Sequence, residues 1–145
     1  RDDADAVEAL LDRDPDPDAA VRALGVRAAR PEASTKDDVW AEVFEKRSVP
    51  AGVGIHELGQ QFWQPGQTDL LLPFAHRYLD VSERLSGPGI LDLLSPMRAM
   101  MPSVADDEVL RRGRAVALSP DVLPQVRSTI LTGWDTLARM QRAKR

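Results

Sequence analysis

Residues 56–60 read His-Glu-Leu-Gly-Gln, a spacing close to that of a zinc-binding helix. In such a helix, two histidines one turn apart bind the metal and the glutamate between them activates water. Here Gln60, a poor zinc ligand, holds the second ligand position, and the only other histidine is His76. The chain also has no cysteine. We therefore expect no catalytic, cofactor-binding or metal-binding residue in this chain, and we interpret His56 as a helix-surface or interhelix hydrogen-bonding residue.

Arginines are the next candidates for chemistry. Arg111, Arg112 and Arg114 are able to hold a carboxylate or a phosphate. They follow the acidic residues 106–108 at helical spacing, which favours an exposed face that neutralises itself. The last residues are also basic and invite a nucleic-acid interpretation, but the sequence pI is about 5.2 and no aromatic residue alternates with them. We expect no nucleic-acid partner, because cations at the end of a final helix complement its dipole. These last cations are Arg139, Arg142, Lys144 and Arg145.

Aromatic and methionine side chains suggest two further kinds of site. Aromatic residues at helical spacing are more typical of a core than of a ligand pocket. Methionines favour either an adaptable interface or a packed helix end before Pro102. The aromatic residues are Trp40, Phe44, Phe62, Trp63, Phe74 and Tyr78, and the methionines are Met97, Met100 and Met101.

The elements that would position these residues are short amphipathic helices separated by prolines and glycines. Apolar residues recur at i, i+3 and i+4, as on one face of a helix. Eleven prolines and nine glycines supply the breaks. We predict helices over residues 4–13, 17–30, 34–45, 53–62, 68–85, 90–100, 103–118 and from 119 to the end, with a kink or a break at Pro96.

Cap residues mark several of the predicted helix starts. Ser34 with Asp37, and Ser103 with Asp106, resemble capping boxes in which aspartate replaces glutamate. Ser119-Pro120-Asp121 is expected to open the longest helix. Its predicted buried face consists of Val122, Val126, Ile130, Leu137 and Met140.

These helices define the predicted fold class. No segment alternates apolar and polar residues for long enough to indicate a strand, so the fold is expected to be all-α. Short turns between successive helices favour a HEAT/armadillo-like array of about eight antiparallel helices. With 43% hydrophobic and 29% charged residues, the chain has enough apolar material for one core, and we treat 1–145 as a single domain. The apolar runs are too short for a membrane span.

Several short segments of the sequence resemble a known family. The similarity spans most of the chain, from about Leu10 to the end, and the combination of Trp40 with residues 62–67 is its most specific part. It resembles the C-terminal helical domain of bacterial aminopeptidase N, a gluzincin zinc aminopeptidase, a domain shared with the endoplasmic-reticulum aminopeptidases. The segments and single residues are 11–16, 28–32, Lys36, Trp40, 62–67, Leu71, Pro73, Phe74, Arg77, Tyr78, Leu79, Met101 and Pro102.

This resemblance implies a function for the whole parent protein. The parent would be a cytoplasmic enzyme that removes N-terminal residues from peptides, with zinc held in a catalytic domain outside this sequence. This part would be non-catalytic; its partners would be that domain and the peptide substrate, and it would shape and close the substrate chamber. From a different class of function, an independent helical-repeat adaptor would bind a protein through its Met-rich or Arg-rich face.

Overall fold

The computed structural model describes residues 17–84 and 91–143, and within these ranges the fold is helical without a strand. This confirms the all-α prediction for the described part of the chain. The predicted helix 4–13 and Leu85 lie outside the described residues. Residues 17–84 and 91–143 contain seven α-helices: α1 (Pro17–Ala28), α2 (Ala33–Trp40), α3 (Val53–Phe62), α4 (Thr68–Arg84), α5 (Leu91–Ala99), α6 (Asp107–Leu118) and α7 (Pro124–Ala143).

Prolines begin two of these helices and are tolerated inside two others. Pro17 and Pro124 occupy the first helical position, where a missing N–H costs nothing. Pro73 lies inside α4 and Pro96 inside α5. Of the kink or break predicted at Pro96, the break does not occur, since α5 runs unbroken from Leu91 to Ala99.

The second helix ends in a widened turn. Ala41–Glu45 continues α2 as a π-helical turn, in which the N–H of Lys46 donates to the carbonyl of Ala41 at 2.8 Å. Arg47 then adopts a positive φ of 53°. Val43 and Phe44 are buried on the inner side of this turn, and for Phe44 this agrees with the predicted core position. Apolar packing thus holds the end of the helix in a geometry that is uncommon for a helix terminus.

The predicted caps are wrong at two helix starts. α2 begins at Ala33 after Glu32, so Ser34 lies within the first turn. Asp106, not Ser103, caps α6, because its carboxylate accepts the N–H of Val109 at 2.8 Å. Ser103 instead donates to the carbonyl of Trp63 at 3.4 Å. Aspartate is an effective N-cap, so the residue nearest the first helical turn takes this role.

The start of α7 also differs from the prediction. Ser119 is extended and ends α6, and the helix begins five residues later at Pro124. Arg127 holds this connection by donating to the carbonyls of Ala117, Ser119 and Val122 at 2.8–3.2 Å. Val122 is buried as predicted, but it lies in the connection between α6 and α7 and not in the helix.

Helices two apart in the sequence pack together. α1 packs on α3, α3 on α5 and α5 on α7, while α4 packs on α6 and the last two helices form a pair. One buried apolar cluster runs through these contacts, from Val21 in α1 to Leu137 in α7. Met140, predicted to be buried, is 42% exposed. None of the helices within residues 17–84 and 91–143 is both long enough and apolar enough to cross a membrane.

Candidate functional site

The zinc-like spacing of residues 56–60 lies on the outside of α3. His56, Glu57 and Gln60 are exposed, whereas Leu58 and Gly59 between them are buried. His76 lies on α4 and is half-buried. Among the residues that the structure describes, no group of three histidine, cysteine, aspartate or glutamate side chains is placed to hold a metal ion.

Lys36 is the most unusual side chain of the described core. It has no exposed surface, and its ammonium donates to the carbonyls of Ala28 at 2.6 Å and Phe62 at 2.8 Å. These residues end α1 and α3, so both carbonyls belong to helix termini that lack an intrahelical donor and carry partial negative charge. The ammonium also lies 4.8 Å from the centre of the Phe62 ring. One lysine thereby ties together the ends of two helices.

Burial shapes the chemistry of this lysine. The loss of water around the ammonium lowers the pKa of Lys36 to about 8 from its ordinary 10.5. A neutral amine still has two N–H donors, so one donor remains for each of the two carbonyls after loss of the proton. The sequence contains a sign of this burial, because Lys36 shares a helix face with Val39, Trp40 and Val43. We define the Lys36 joint as Lys36, Trp40, Phe62, Trp63 and Phe74.

Aromatic rings fill the space around the lysine. The ring centre of Trp40 lies 5.8 Å from those of both Phe62 and Phe74. Phe62 meets Phe74 edge-on at 5.3 Å and Trp63 at 5.0 Å. At these separations the rings attract one another beyond their burial of apolar area. The aromatic residues predicted from spacing therefore pack as core rather than line a pocket.

Hydrogen bonds from the segment after α3 extend the joint to its neighbours. Trp63 donates from Nε1 to the carbonyl of Met100 at 3.1 Å. Gln67 donates to the carbonyl of Ala29 at 3.1 Å. From α4, Tyr78 donates to the carbonyl of Met97 at 2.7 Å, and burial raises the pKa of its phenol. Met97 and Met100 are fully buried, so these two methionines belong to a packed helix end and offer no interface.

The arginine cluster of α6 is divided between two roles. Arg112 pairs with Asp80 and Glu83 of α4, and it donates to the carbonyl of His76 at 3.1 Å. Burial opposes its charge, but the hydrogen bond and charge of Asp80, with Glu83, raise the pKa of Arg112. For Arg112, the prediction of neutralisation by residues 106–108 is therefore wrong. Arg111 and Arg114 point outward and are exposed.

An open groove lies between α6 and α7. Leu110, Gly113, Trp134, Leu131 and Ala138 line its apolar part, with a cavity volume of about 380 Å³. Charged side chains stand at its edges: Arg114, Arg142 and Asp135. We call this cavity the α6–α7 groove.

The sequence matches no model of a known protein family and no curated protein. Function must therefore be inferred from the residues themselves. Five residues of the family resemblance form the Lys36 joint, whereas Arg114 and Arg142 border the α6–α7 groove.

Proposed function

We propose that this chain is the non-catalytic C-terminal helical domain of a cytoplasmic zinc aminopeptidase N. In this role it forms one side of the chamber in which the parent enzyme removes N-terminal residues from peptides. Its partners are the catalytic domain of the same polypeptide and the peptide substrate. In this proposal, zinc belongs to that catalytic domain, as the family resemblance implies.

The proposal is supported above all by where the residues of the resemblance lie. Lys36, Trp40, Phe62 and Phe74 come from three separate segments of the sequence and meet in the Lys36 joint. Arg77, also part of the resemblance, lies 4.7 Å from the centre of the Phe74 ring and pairs with Asp37 at 2.6 Å. Residues that a family shares for structural reasons should contact one another, whereas a chance resemblance would scatter them. Their assembly favours a shared scaffold.

The packing order favours the HEAT/armadillo-like array that the resemblance implies. In such arrays each helix packs on the equivalent helix of the neighbouring hairpin, which lies two positions away in the sequence. The contacts of α1 with α3, α3 with α5 and α4 with α6 follow this order. A concave face of the array would then line the chamber, where binding depends on shape and scattered polar groups.

The test begins with the reading frame upstream of Arg1. We expect it to encode His-Glu-x-x-His, with a glutamate 19 residues beyond the second histidine, the ligand set of this enzyme family. In the longer protein, deletion of residues 1–145 should leave the zinc content unchanged. The deletion should alter kcat/KM for long peptides more than for a single aminoacyl-anilide, because only long peptides reach the chamber wall.

Two results would contradict the proposal. The first is an upstream sequence without these ligands. The second is chelator-sensitive cleavage of an aminoacyl-anilide by the 145-residue chain itself, which would place the catalytic centre within it. The matched control is the chain without added zinc.

The second candidate is an independent helical-repeat adaptor that binds a protein partner. Burial of Met97 and Met100 removes these two residues of the Met-rich face from consideration. The α6–α7 groove favours the Arg-rich alternative, because Arg114 and Arg142 border an apolar surface. A start codon close to Arg1 would favour the adaptor over the peptidase domain.

A further inference from the structure

The α6–α7 groove has the spacing of a helix-binding site. From α6 it is lined at positions 110, 113, 114 and 117, and from α7 at positions 130, 131, 134, 135, 138, 141 and 142. Both sets follow i, i+3, i+4 and i+7, so each helix presents one continuous stripe. Two parallel stripes with a depression between them form the seat that an amphipathic helix occupies in helix-in-groove recognition.

The floor of the groove is apolar and well supported. Trp134 is only 6% exposed, and its Nε1 donates to the carbonyl of Val109 at 3.1 Å. Gly113 allows this position, since a Cβ there would overlap the indole. Leu131, by contrast, is 48% exposed at the rim. A rigid floor and an accessible apolar wall favour burial by a partner, because the floor loses little conformational freedom on binding.

The charges at the rim are unequal. Asp135 forms an ion pair with Arg139, and the hydrogen bond and charge of Arg139 lower the pKa of Asp135. Arg114 forms no hydrogen bond or ion pair with any residue in the described part of the chain, and it is exposed. Arg142 stands near enough to act on the Asp135 carboxylate. The negative charge of Asp135 is balanced by the positive charge of Arg139. Arg114 and Arg142 therefore give the rim an excess of positive charge.

We propose that the α6–α7 groove is the docking site for an acidic amphipathic helix of another polypeptide. Leucine-like side chains of that helix would cover Leu131, Leu110 and Trp134. Its glutamates or aspartates would pair with Arg114 and Arg142, and charge complementarity would set its orientation. This site is independent of the aminopeptidase proposal, because it depends only on the pair of helices at the end of the described fold.

A pair of synthetic helices tests this assignment with the intact 145-residue chain. The probe is a peptide of about 16 residues with leucines at i, i+3, i+4 and i+7 and glutamates at the flanking positions. Its matched control carries lysines in place of the glutamates. The observable is the NMR signal of the Trp134 indole N–H, assigned with a Trp134→Phe variant, together with the methyl signals of Leu131.

We expect the glutamate peptide to shift both signals saturably and to bind about tenfold or more tightly than the lysine peptide. Arg114→Glu combined with Arg142→Glu should reverse this preference, so that the lysine peptide becomes the tighter ligand. Arg111→Glu is the matched control, because Arg111 is exposed on the same helix but does not line the groove. It should change the affinity by about twofold at most. Unchanged circular dichroism identifies variants that are folded.

Several outcomes would overturn the proposal. Equal affinity for both peptides, shifts confined to residues outside the groove, or no shift up to about 1 mM peptide would each do so. A preference for the glutamate peptide that persists in the Arg114→Glu, Arg142→Glu variant would also overturn the proposal. A dimer in sedimentation, together with Leu131 methyl signals that shift with protein concentration, would assign the surface to a second copy of the chain instead. Failure to find zinc ligands upstream of Arg1 would contradict only the aminopeptidase proposal and would leave these measurements unaffected.

Discussion

The Lys36 joint and the α6–α7 groove both combine cations with aromatic side chains, yet they differ in what the cations bind. In the joint, the ammonium of Lys36 is buried and donates to the carbonyls of Ala28 and Phe62. In the groove, Arg114 is exposed and has no partner among the described residues. A lysine whose donors are used inside the fold stabilises it through its hydrogen bonds, although burial of its charge opposes this gain. A cation left at the edge of an apolar surface is instead available to a partner, so the two regions separate structure from recognition.

The largest expected effect comes from removing the buried cation. Lys36→Ala would leave two helix-end carbonyls without a donor and a cavity where the aliphatic stem lay. We expect the free energy of unfolding to fall by about 3 kcal/mol in urea denaturation. The control is Lys46→Ala, because Lys46 is exposed and forms only a surface ion pair, with its Nζ 3.7 Å from Oε1 of Glu42. That variant should lose about 0.5 kcal/mol or less. Similar losses for both lysines would remove the distinction between the two regions.

The next effect concerns the contact between α3 and α5. A Cβ at Gly59 would overlap the backbone carbonyl oxygen of Ala99, so the two helices would have to separate. Glycine to alanine in a helix normally stabilises it by about 1 kcal/mol. For Gly59→Ala we expect the opposite sign, a loss of about 2 kcal/mol in urea denaturation. Gln60→Ala, at an exposed neighbouring position, should change stability by about 0.5 kcal/mol at most. A stabilised Gly59→Ala variant would show that the helices are not in such close contact.

Gly113 offers the corresponding change at the groove, with a smaller expected effect. There the added Cβ would overlap the indole of Trp134, which would have to move away from the carbonyl of Val109. The displaced indole would lose its hydrogen bond to Val109, so we expect a loss of about 1 kcal/mol for Gly113→Ala. The indole N–H signal of Trp134 should move toward that of a solvent-exposed tryptophan. An unchanged signal would contradict the role of Gly113 in forming the floor.

The pH dependence of stability isolates Lys36 with the smallest perturbation. Its pKa is about 8 in the folded chain and 10.5 ordinarily, so above pH 8 the unfolded chain retains a proton that the folded chain has released. The free energy of unfolding should therefore rise, by about 1 kcal/mol between about pH 7 and about pH 9. Higher pH is less informative, because burial raises the pKa of Tyr78 and its ionisation on unfolding destabilises the fold.

Lys36→Met is the matched control for this measurement, because it keeps an unbranched apolar stem and lacks a titrating group. Its stability should not show the additional rise with pH. If both proteins respond equally, Lys36 is not the source of the pH dependence, and its ammonium is less desolvated in solution than its complete burial indicates.

The sequence predicted the helices better than their ends. Val126, Ile130 and Leu137 were expected on the buried face of the last helix, and all three are buried in α7. The prediction of buried helix faces is correct because helical periodicity depends only on residues close together in the sequence. The caps at Ser34 and Ser103 were wrong because several serine and acidic residues compete near each start, and packing of the incoming chain selects among them.

Charged residues were harder to predict than apolar ones. The sequence favoured neighbours at helical spacing as partners of Arg112, but Arg112 pairs with Asp80 and Glu83, about 30 positions away. Lys36 was noticed only as part of a resemblance, without its two carbonyl partners. In both cases the deciding partner lies on another helix, so no local pattern identifies it.

The sequence by itself determined the helical class, most of the buried faces and the resemblance, because each depends on residue type and short-range spacing. The tertiary structure alone decided that Lys36 joins the ends of α1 and α3, and that Arg112 is paired while Arg114 is left at an open groove. The physical reason is that a hydrogen bond or an ion pair depends on distances of a few ångströms, and only the packing of separate helices sets those distances.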